Sequence, residues 1–350
     1  MSRRAATLVV ASFLIFALCV VGVLLPVPYV ALMPGPTYNT LSKNQDGKPL
    51  ISIEGRQVYE DGGHLNFTTV AYRGGPGNRI DLLTALRGWL AKDTAIVPEE
   101  TVFPKGETVE DVERENTQQM ADSQEKAVVA ALRQLNITVG VRVLVDSVQK
   151  GMPADGLLRP GDEIVAVDGA EVTGVAAVTE KMSARRPGDR VTLRVLRDGK
   201  EQDVTLATVA APDGSRPLVG VVLGESYRFP FKVTITVGDV GGPSAGLMFS
   251  LAIVDKLTPG PLTGGKFVAG TGTIDTDGKV GPIGGIQQKM VAARRAGATV
   301  FLTPADNCID AVAAAPKGLR LVRVESLSGA ISALNALNSG KGDVPSCPGG

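Results

Sequence analysis

A run of 21 uncharged, mostly apolar residues, Ala5 to Leu25, limits what this chain can fold into more than any other stretch. At about 1.5 Å rise per residue, a helix of that length crosses a hydrocarbon core of roughly 30 Å. Arg3 and Arg4 precede it, and the next Lys or Arg is Lys43. The positive-inside rule then sets the short N-terminus in the cytoplasm and the bulk of the chain outside. A cleaved leader begins the same way. This run is longer than a usual signal core, however, and Pro26-Val27-Pro28-Tyr29 closes it without a small-x-small site. Cys19, after Leu18 in mid-span, makes a poor lipoprotein site. The expectation is an uncleaved single-pass anchor in the cell membrane, residues 1–30, with the remainder extracytoplasmic.

The 350 residues leave room for two domains beyond that anchor. Lys plus Arg (36) balance Asp plus Glu (36), so neither a nucleic-acid partner nor a charge-driven one is indicated. The one histidine, His64, lies in a turn-like Asp61-Gly62-Gly63-His64-Leu65. A Ser-His-Asp triad is therefore hard to build, and a zinc site with several histidines is impossible. No metal or cofactor is expected. Cys19, Cys308 and Cys347 are scattered, without CxxC pairing, and point to neither a metal cluster nor a disulfide framework. Cys19 would lie in lipid and the other two stay free.

Residues 31–120 read as a β-rich, membrane-proximal segment, with strands at Leu50–Ile53 and Leu65–Val70 and a short helix at Asp81–Leu90. Met120 to Leu135 is an amphipathic helix whose stripe is Ala127, Val128, Ala131 and Leu135. Then come an alternating strand at Val141–Val145, the run Gly151-Met152-Pro153-Ala154-Asp155-Gly156-Leu157 through Gly161-Asp162-Glu163-Ile164 to Val167-Asp168-Gly169, a helix at Thr173–Arg185 and two strands joined at Asp198-Gly199. In residue type and spacing this resembles a bacterial PDZ domain, giving residues 121–209 as a leading helix plus PDZ. The resemblance implies a groove in which an extended peptide adds as a strand and its carboxylate meets backbone N–H groups. By position its edge would be Val139, Gly140, Val141, Arg142 and Val143, facing a helix at Thr173–Met182. A PDZ-shaped spacer that binds no free terminus is the alternative, because Ile137-Thr138-Val139-Gly140 is a weak carboxylate-binding loop.

From Val221 to Leu337 strands and helices alternate, and residues 225–340 read as an α/β domain followed by a loose Gly/Pro/Ser-rich tail, 341–350. Gly241-Gly242-Pro243-Ser244-Ala245-Gly246 leads an apolar helical run, which puts Ser244 on a first helical turn beside outward-pointing amides. A simple helix cap reads equally well. Lys289, in Gly284-Gly285-Ile286-Gln287-Gln288-Lys289, falls on the arc of Ile286, Met290, Ala293, Ala296 and Gly297. On that face desolvation depresses an amine's pKa and lets it act as the base a serine needs. Snorkelling to the helix edge is the alternative.

Gly-Pro-Ser-Ala-Gly, Thr271-Gly272-Thr273-Ile274, Gly278 to Ile286, Lys289 and Ala292 to Gly297 together resemble the proteolytic domain of Lon proteases, over roughly Val233 to Leu337. With the PDZ unit and the anchor, the whole chain is similar to bacterial membrane-anchored, PDZ-containing Lon-like proteases. The implied fold class is α+β multidomain. The implied roles are Ser244 as nucleophile, Lys289 as general base and later acid, Thr271 as the hydroxyl that hydrogen-bonds the amine, and amides near Ser244 and Ala245 as the oxyanion site. Gly241 departs from the pattern, since many ATP-dependent relatives have Asp there, and Asp239 does not inherit the role. The ATPase half of ordinary Lon is also absent from this sequence. Gly260-Pro261-Leu262-Thr263-Gly264-Gly265-Lys266-Phe267 imitates a P-loop and then puts Phe267 where Ser or Thr would bind Mg²⁺. The expected function is an ATP-independent serine endopeptidase acting on membrane or exported proteins, with protein or peptide substrates as partners, the bilayer as an anchor and a homo-oligomer suggested by Lon-like rings. The alternative from another class is a non-catalytic PDZ adaptor that binds C-terminal peptides.

Overall fold

The computed structural model describes residues 3–43, 47–60, 62–214 and 216–348. The chain opens with α1 (Arg3–Leu24), β1 (Tyr29–Asn39), β2 (Ile51–Glu54), β3 (His64–Arg73), α2 (Leu82–Leu90), β4 (Ala95–Pro98), α3 (Glu99–Val102) and α4 (Val109–Gln134). Next come β5 (Gly140–Val148), β6 (Glu163–Val167), β7 (Ala170–Glu171), α5 (Val175–Ser183), β8 (Arg190–Arg197), β9 (Lys200–Ala207), β10 (Val209–Ala210), β11 (Pro217–Leu218) and β12 (Val221–Arg228). The chain ends with β13 (Lys232–Ile235), α6 (Gly246–Leu257), β14 (Phe267–Gly270), β15 (Thr273–Ile274), β16 (Val280–Gly281), α7 (Ile286–Arg295), β17 (Val300–Pro304), α8 (Cys308–Ala313), β18 (Arg320–Val324) and α9 (Leu327–Ser339).

These elements form two compact units, residues 138–230 and residues 1–137 together with 231–350. The first is contiguous. Its sheet runs β12-β5-β6-β8-β9, all antiparallel, with β7 pairing β6. Period-2 alternation sets the core: Val191, Leu193 and Val195 of β8 point inward onto Val143, Val145, Ile164 and Val167. Leu158, Val178 of α5 and Val219 close that cluster.

The second unit is discontinuous and corrects the sequence-based division of the chain. Its six-stranded sheet runs β18-β17-β14-β3-β1-β4. Strands β18, β17, β14 and β3 are parallel, and β1 and β4 are added antiparallel. Residues 31–120 are therefore not a separate membrane-proximal segment, because β1, β3 and β4 complete the sheet that was assigned to 225–340. Val300–Pro304 is buried at every position, as a parallel strand with both faces covered must be. The leading helix also belongs here rather than to the PDZ unit, since α4 packs on α6. It starts well before Met120, because Thr108 and Asp111 form a reciprocal capping box and the first turns are charged and solvated, leaving no apolar stripe to read. The boundary at 225 falls inside β12, which pairs along β5.

The tail is tied down rather than loose. Arg323 donates its amide to the Pro345 carbonyl at 2.9 Å, and Cys347 forms a disulfide with Cys308 at a Cα separation of 5.2 Å. The expectation of free thiols is thus overturned for these two; chain folding unites cysteines whose spacing carries no signature. The side chain of Cys19 and residue Asp61 lie outside the described residues. Helix α1 contains one stretch, Thr7–Leu24, long and apolar enough to cross a membrane.

Candidate active site

The serine turn, Gly241–Ala245, leads into α6, which starts at Gly246 with Ala245 as its N-cap. Ser244 therefore stands ahead of the helix rather than on its first turn, because Gly242 breaks the backbone into the left-handed region (φ 83°). Helix α4 buttresses this turn from below. The Gly242 amide donates to the Asn116 carbonyl (2.8 Å), and Ser123 Oγ donates to the Pro243 carbonyl (3.0 Å). A Cβ at Gly241 would lie 2.8 Å from Asn116 Cβ, so α4 leaves no room there for the Asp of ATP-dependent relatives.

Thr271 follows β14 and is fully buried. Its hydroxyl and the Gly272 amide both donate to the Ser244 carbonyl at 2.9 Å, and Leu247 N–H donates to the Gly272 carbonyl at 3.1 Å. This short ladder locks the serine turn to the sheet. Lys289 comes from the first turn of α7, which packs on β1 and β3. Gly285 caps that helix in the left-handed region (φ 69°), where a Cβ would sit 2.6 Å from Val70 Cγ2 of β3. The loop before α7 is pinned by Asn307. Its Oδ1 accepts from the Ile283 amide (2.9 Å), and its Nδ2 donates to the Ile283 carbonyl (3.0 Å).

Lys289 is 3% exposed, and its Nζ lies 2.7 Å from Ser244 Oγ and 3.1 Å from Thr271 Oγ1. Snorkelling is excluded by that burial. Desolvation lowers the amine's pKa from 10.5 to about 7. The Thr271 proton is committed to the Ser244 carbonyl, so the Thr271 oxygen accepts one N–H from the amine. A neutral amine then has its single lone pair left for the Ser244 Oγ–H. The buried face of α7 is Ile286, Gln288, Lys289, Met290, Ala292 and Ala293, while Ala296 and Gly297 lie exposed past the helix end.

Other sequence candidates fall elsewhere. His64 opens β3 and stacks on Phe267 at 4.3 Å. Lys266 of the P-loop-like run ends a turn that enters β14, a strand, and its Nζ contacts Asn338 Oδ1 at 3.3 Å. The PDZ edge needs correction. Gly140, Val141, Arg142 and Val143 lie in β5, which is interior: β12 pairs along its whole length and β6 pairs its other side. Val139 immediately precedes β5. The sheet edge beside α5 is β12, whose Glu225 reaches across to accept the Val175 amide at 2.8 Å. Sequence reasoning also missed Asn116, Ser123 and Asn307, since a backbone carbonyl or a lone amide carries no motif.

Residues 234–333 match the family described as the Lon protease (S16) C-terminal proteolytic domain, and residues 108–208 match the PDZ domain family. Lon protease 1 of Bacillus subtilis (strain 168) is 30% identical over 189 residues, 52% of this chain and 24% of the relative. Lon protease of Heliobacterium modesticaldum is 43% identical over 89 residues, 25% of this chain and 11% of the relative. The crystal structure of the PDZ domain of an SdrC-like protein from Listeria monocytogenes is 25% identical, covers 23% of this chain and 85% of its own, and has a TM-score of 0.23. The chain spans a quarter or less of the length of these curated relatives. Residues 234–333 are thus similar to the proteolytic domain of S16 Lon proteases. More particularly, one chain combines this stretch with one similar to a PDZ domain, and the unit that carries Ser244 is interrupted in sequence by residues 138–230.

Proposed function

We propose that this protein is an ATP-independent serine endopeptidase in which Ser244 is the nucleophile and Lys289 the general base and acid. One observation carries the reading: a desolvated amine, with a pKa of about 7, lies 2.7 Å from the serine hydroxyl. Neutral Lys289 takes the Ser244 proton as Oγ attacks the scissile carbonyl. The oxyanion that forms is met by the amides of Ser244 and Ala245, which precede α6 and so lie outside its i→i−4 ladder at the helix's positive end. The Lys289 ammonium then protonates the leaving amine, and in deacylation the neutral amine activates water. Thr271 keeps the amine aimed throughout.

The turn at Gly260–Lys266 has a strand after its lysine, unlike a P-loop, which supports independence from ATP and substrates that are flexible or already unfolded. Anchoring by α1, with the catalytic unit extracytoplasmic, is supported by Arg3 and Arg4 before the apolar run and by the Cys308–Cys347 disulfide, a bond typical of oxidising compartments. The PDZ unit selects or positions protein substrates by adding a peptide along the free edge of β12, facing α5. Assembly into a homo-oligomer completes the reading by analogy with Lon.

The test uses the full-length protein in lipid nanodiscs, unfolded casein without nucleotide, and a serine-directed phosphonate. Turnover by wild type, loss in Ser244→Ala and Lys289→Met, and an adduct mapped to Ser244 are expected. Equal turnover in all three proteins contradicts the mechanism, and peptide binding by wild type without cleavage leaves only an adaptor.

A further inference from the structure

Helix α2 presents its side chains in the reverse of the arrangement a water-facing helix adopts. Its inward face is built from small residues: Ala85 is fully buried, and a Cβ at buried Gly88 would lie 2.3 Å from Ile96 Cδ1. Its outward face carries Leu86, Trp89 and Leu90, which are 40%, 54% and 87% exposed. Helical spacing gathers Leu82, Leu86, Trp89 and Leu90 into one arc. A surface helix in water puts its large apolar side chains inside and polar ones outside, so this arc calls for an apolar covering.

The location of α2 identifies that covering. The Leu82 amide donates to the Leu25 carbonyl at 3.0 Å, Val27 N–H donates to the Ile80 carbonyl at 2.9 Å, and Pro26 bridges Asp81. Helix α2 therefore starts where α1 ends, and the two helices are in contact. Trp89 meets Tyr29 edge to face, with ring centroids 5.7 Å apart. Tyr29 is itself the first residue of β1, just past α1. Tyr and Trp are the side chains enriched where a bilayer meets water, because each has an apolar body and a polar tip. Arg87 and Lys92, both exposed, add cations within three residues of Trp89, as a surface facing lipid phosphates would.

We propose that α2 is an interfacial helix, seated through Leu86, Trp89 and Leu90 in the headgroup–acyl boundary of the leaflet that α1 leaves. The inference rests on the reading of α1 as a membrane span. It adds a second attachment, so the unit carrying Ser244 is docked on the bilayer rather than suspended from a single tether.

Trp89 is the chain's one tryptophan, so its fluorescence needs no mutation to be assigned. Full-length protein is reconstituted in phosphatidylcholine–phosphatidylglycerol vesicles whose acyl chains are brominated either near the glycerol or near the methyl end. Expected are a blue-shifted emission, quenching by about half or more with the shallow bromines, weaker quenching with the deep ones and little quenching by aqueous acrylamide. Leu86→Glu with Leu90→Glu, both at exposed sites, should red-shift the emission and restore acrylamide access. A separate Trp89→Phe, Phe13→Trp reporter reads α1 with the deep bromines. If that reporter is quenched while Trp89 responds only to acrylamide, the interfacial helix is refuted and the anchor stands. If neither tryptophan meets bromine, anchor and interfacial helix fall together.

Discussion

Each unit of this molecule buries a charged side chain deeply, Asp162 in one and Lys289 in the other, and the two are treated in opposite ways. In the PDZ unit Asp162 is 1% exposed. Burial alone would raise its carboxyl pKa, but Arg197 binds both oxygens, at 2.7 and 2.6 Å, and the Arg159 amide adds a bond at 2.9 Å. The net effect holds the carboxyl below its ordinary range. In the proteolytic unit Lys289 is 3% exposed and meets only the hydroxyls of Ser244 and Thr271; among the described residues no carboxylate pairs with it. Desolvation is unopposed and brings the amine to about 7. Burial with a counter-ion fixes a charge for structure, whereas burial without one leaves a group titrating near working pH and available for chemistry.

The largest effect expected from breaking this comparison is on activity. Lys289→Met or Ser244→Ala should lower kcat/KM for an unfolded substrate by about 10³-fold or more, read by continuous fluorescence. Lys289→Met should also stabilise the fold. The folded pKa of about 7 lies below the unfolded 10.5, so between these values the unfolded chain binds more protons and wild-type stability rises with pH. The desolvation penalty is therefore full below pH 7, where the variant's advantage is greatest, on the order of 5 kcal/mol before lost hydrogen bonds are deducted. It should fade as pH approaches 10.5, and chemical denaturation across that window checks the sign.

Asp162→Ala should do the reverse. It strands Arg197 and should cost the PDZ unit about 3–5 kcal/mol in denaturant titration, while turnover of a short unstructured peptide stays within about threefold. Cys347→Ser should destabilise the proteolytic unit by about 2–4 kcal/mol by freeing the tail. Thr271→Val, which removes the hydroxyl but keeps the shape, should cost about 1.5–3 kcal/mol of transition-state stabilisation, roughly 10- to 100-fold in kcat/KM, with Thr271→Ser restoring most of it.

The same contrast explains what was legible in the sequence. The PDZ unit is contiguous and held by neighbouring antiparallel strands, so its motif, its helix and its paired β8 and β9 could be read locally. Ser244 and Lys289 were legible because a Gly-rich turn and a helical arc each leave a local trace, whereas Thr271 came only with the resemblance to Lon proteolytic domains. The sheet that positions them was not, because Leu65 pairs with Val268 in parallel across the whole PDZ insertion and no spacing rule reports such a pairing. Helix α4 was misassigned for a related reason: Ala127, Val128 and Ala131 form a stripe that names no partner. The groove edge was misread because β12, which covers β5, comes last in its unit and falls across the expected boundary. Cys308 and Cys347 meet only once α8 and the tail are folded.

The most direct measurement is the titration of the Lys289 side chain itself. Full-length protein labelled with ¹³Cε-lysine, with the resonance assigned by its loss in Lys289→Met, gives the amine's pKa from chemical shift against pH. A midpoint near 7, well apart from the other lysines, is the predicted result. A midpoint near 10.5 would mean the amine is charged at neutral pH, and the account of Lys289 as the base would be contradicted.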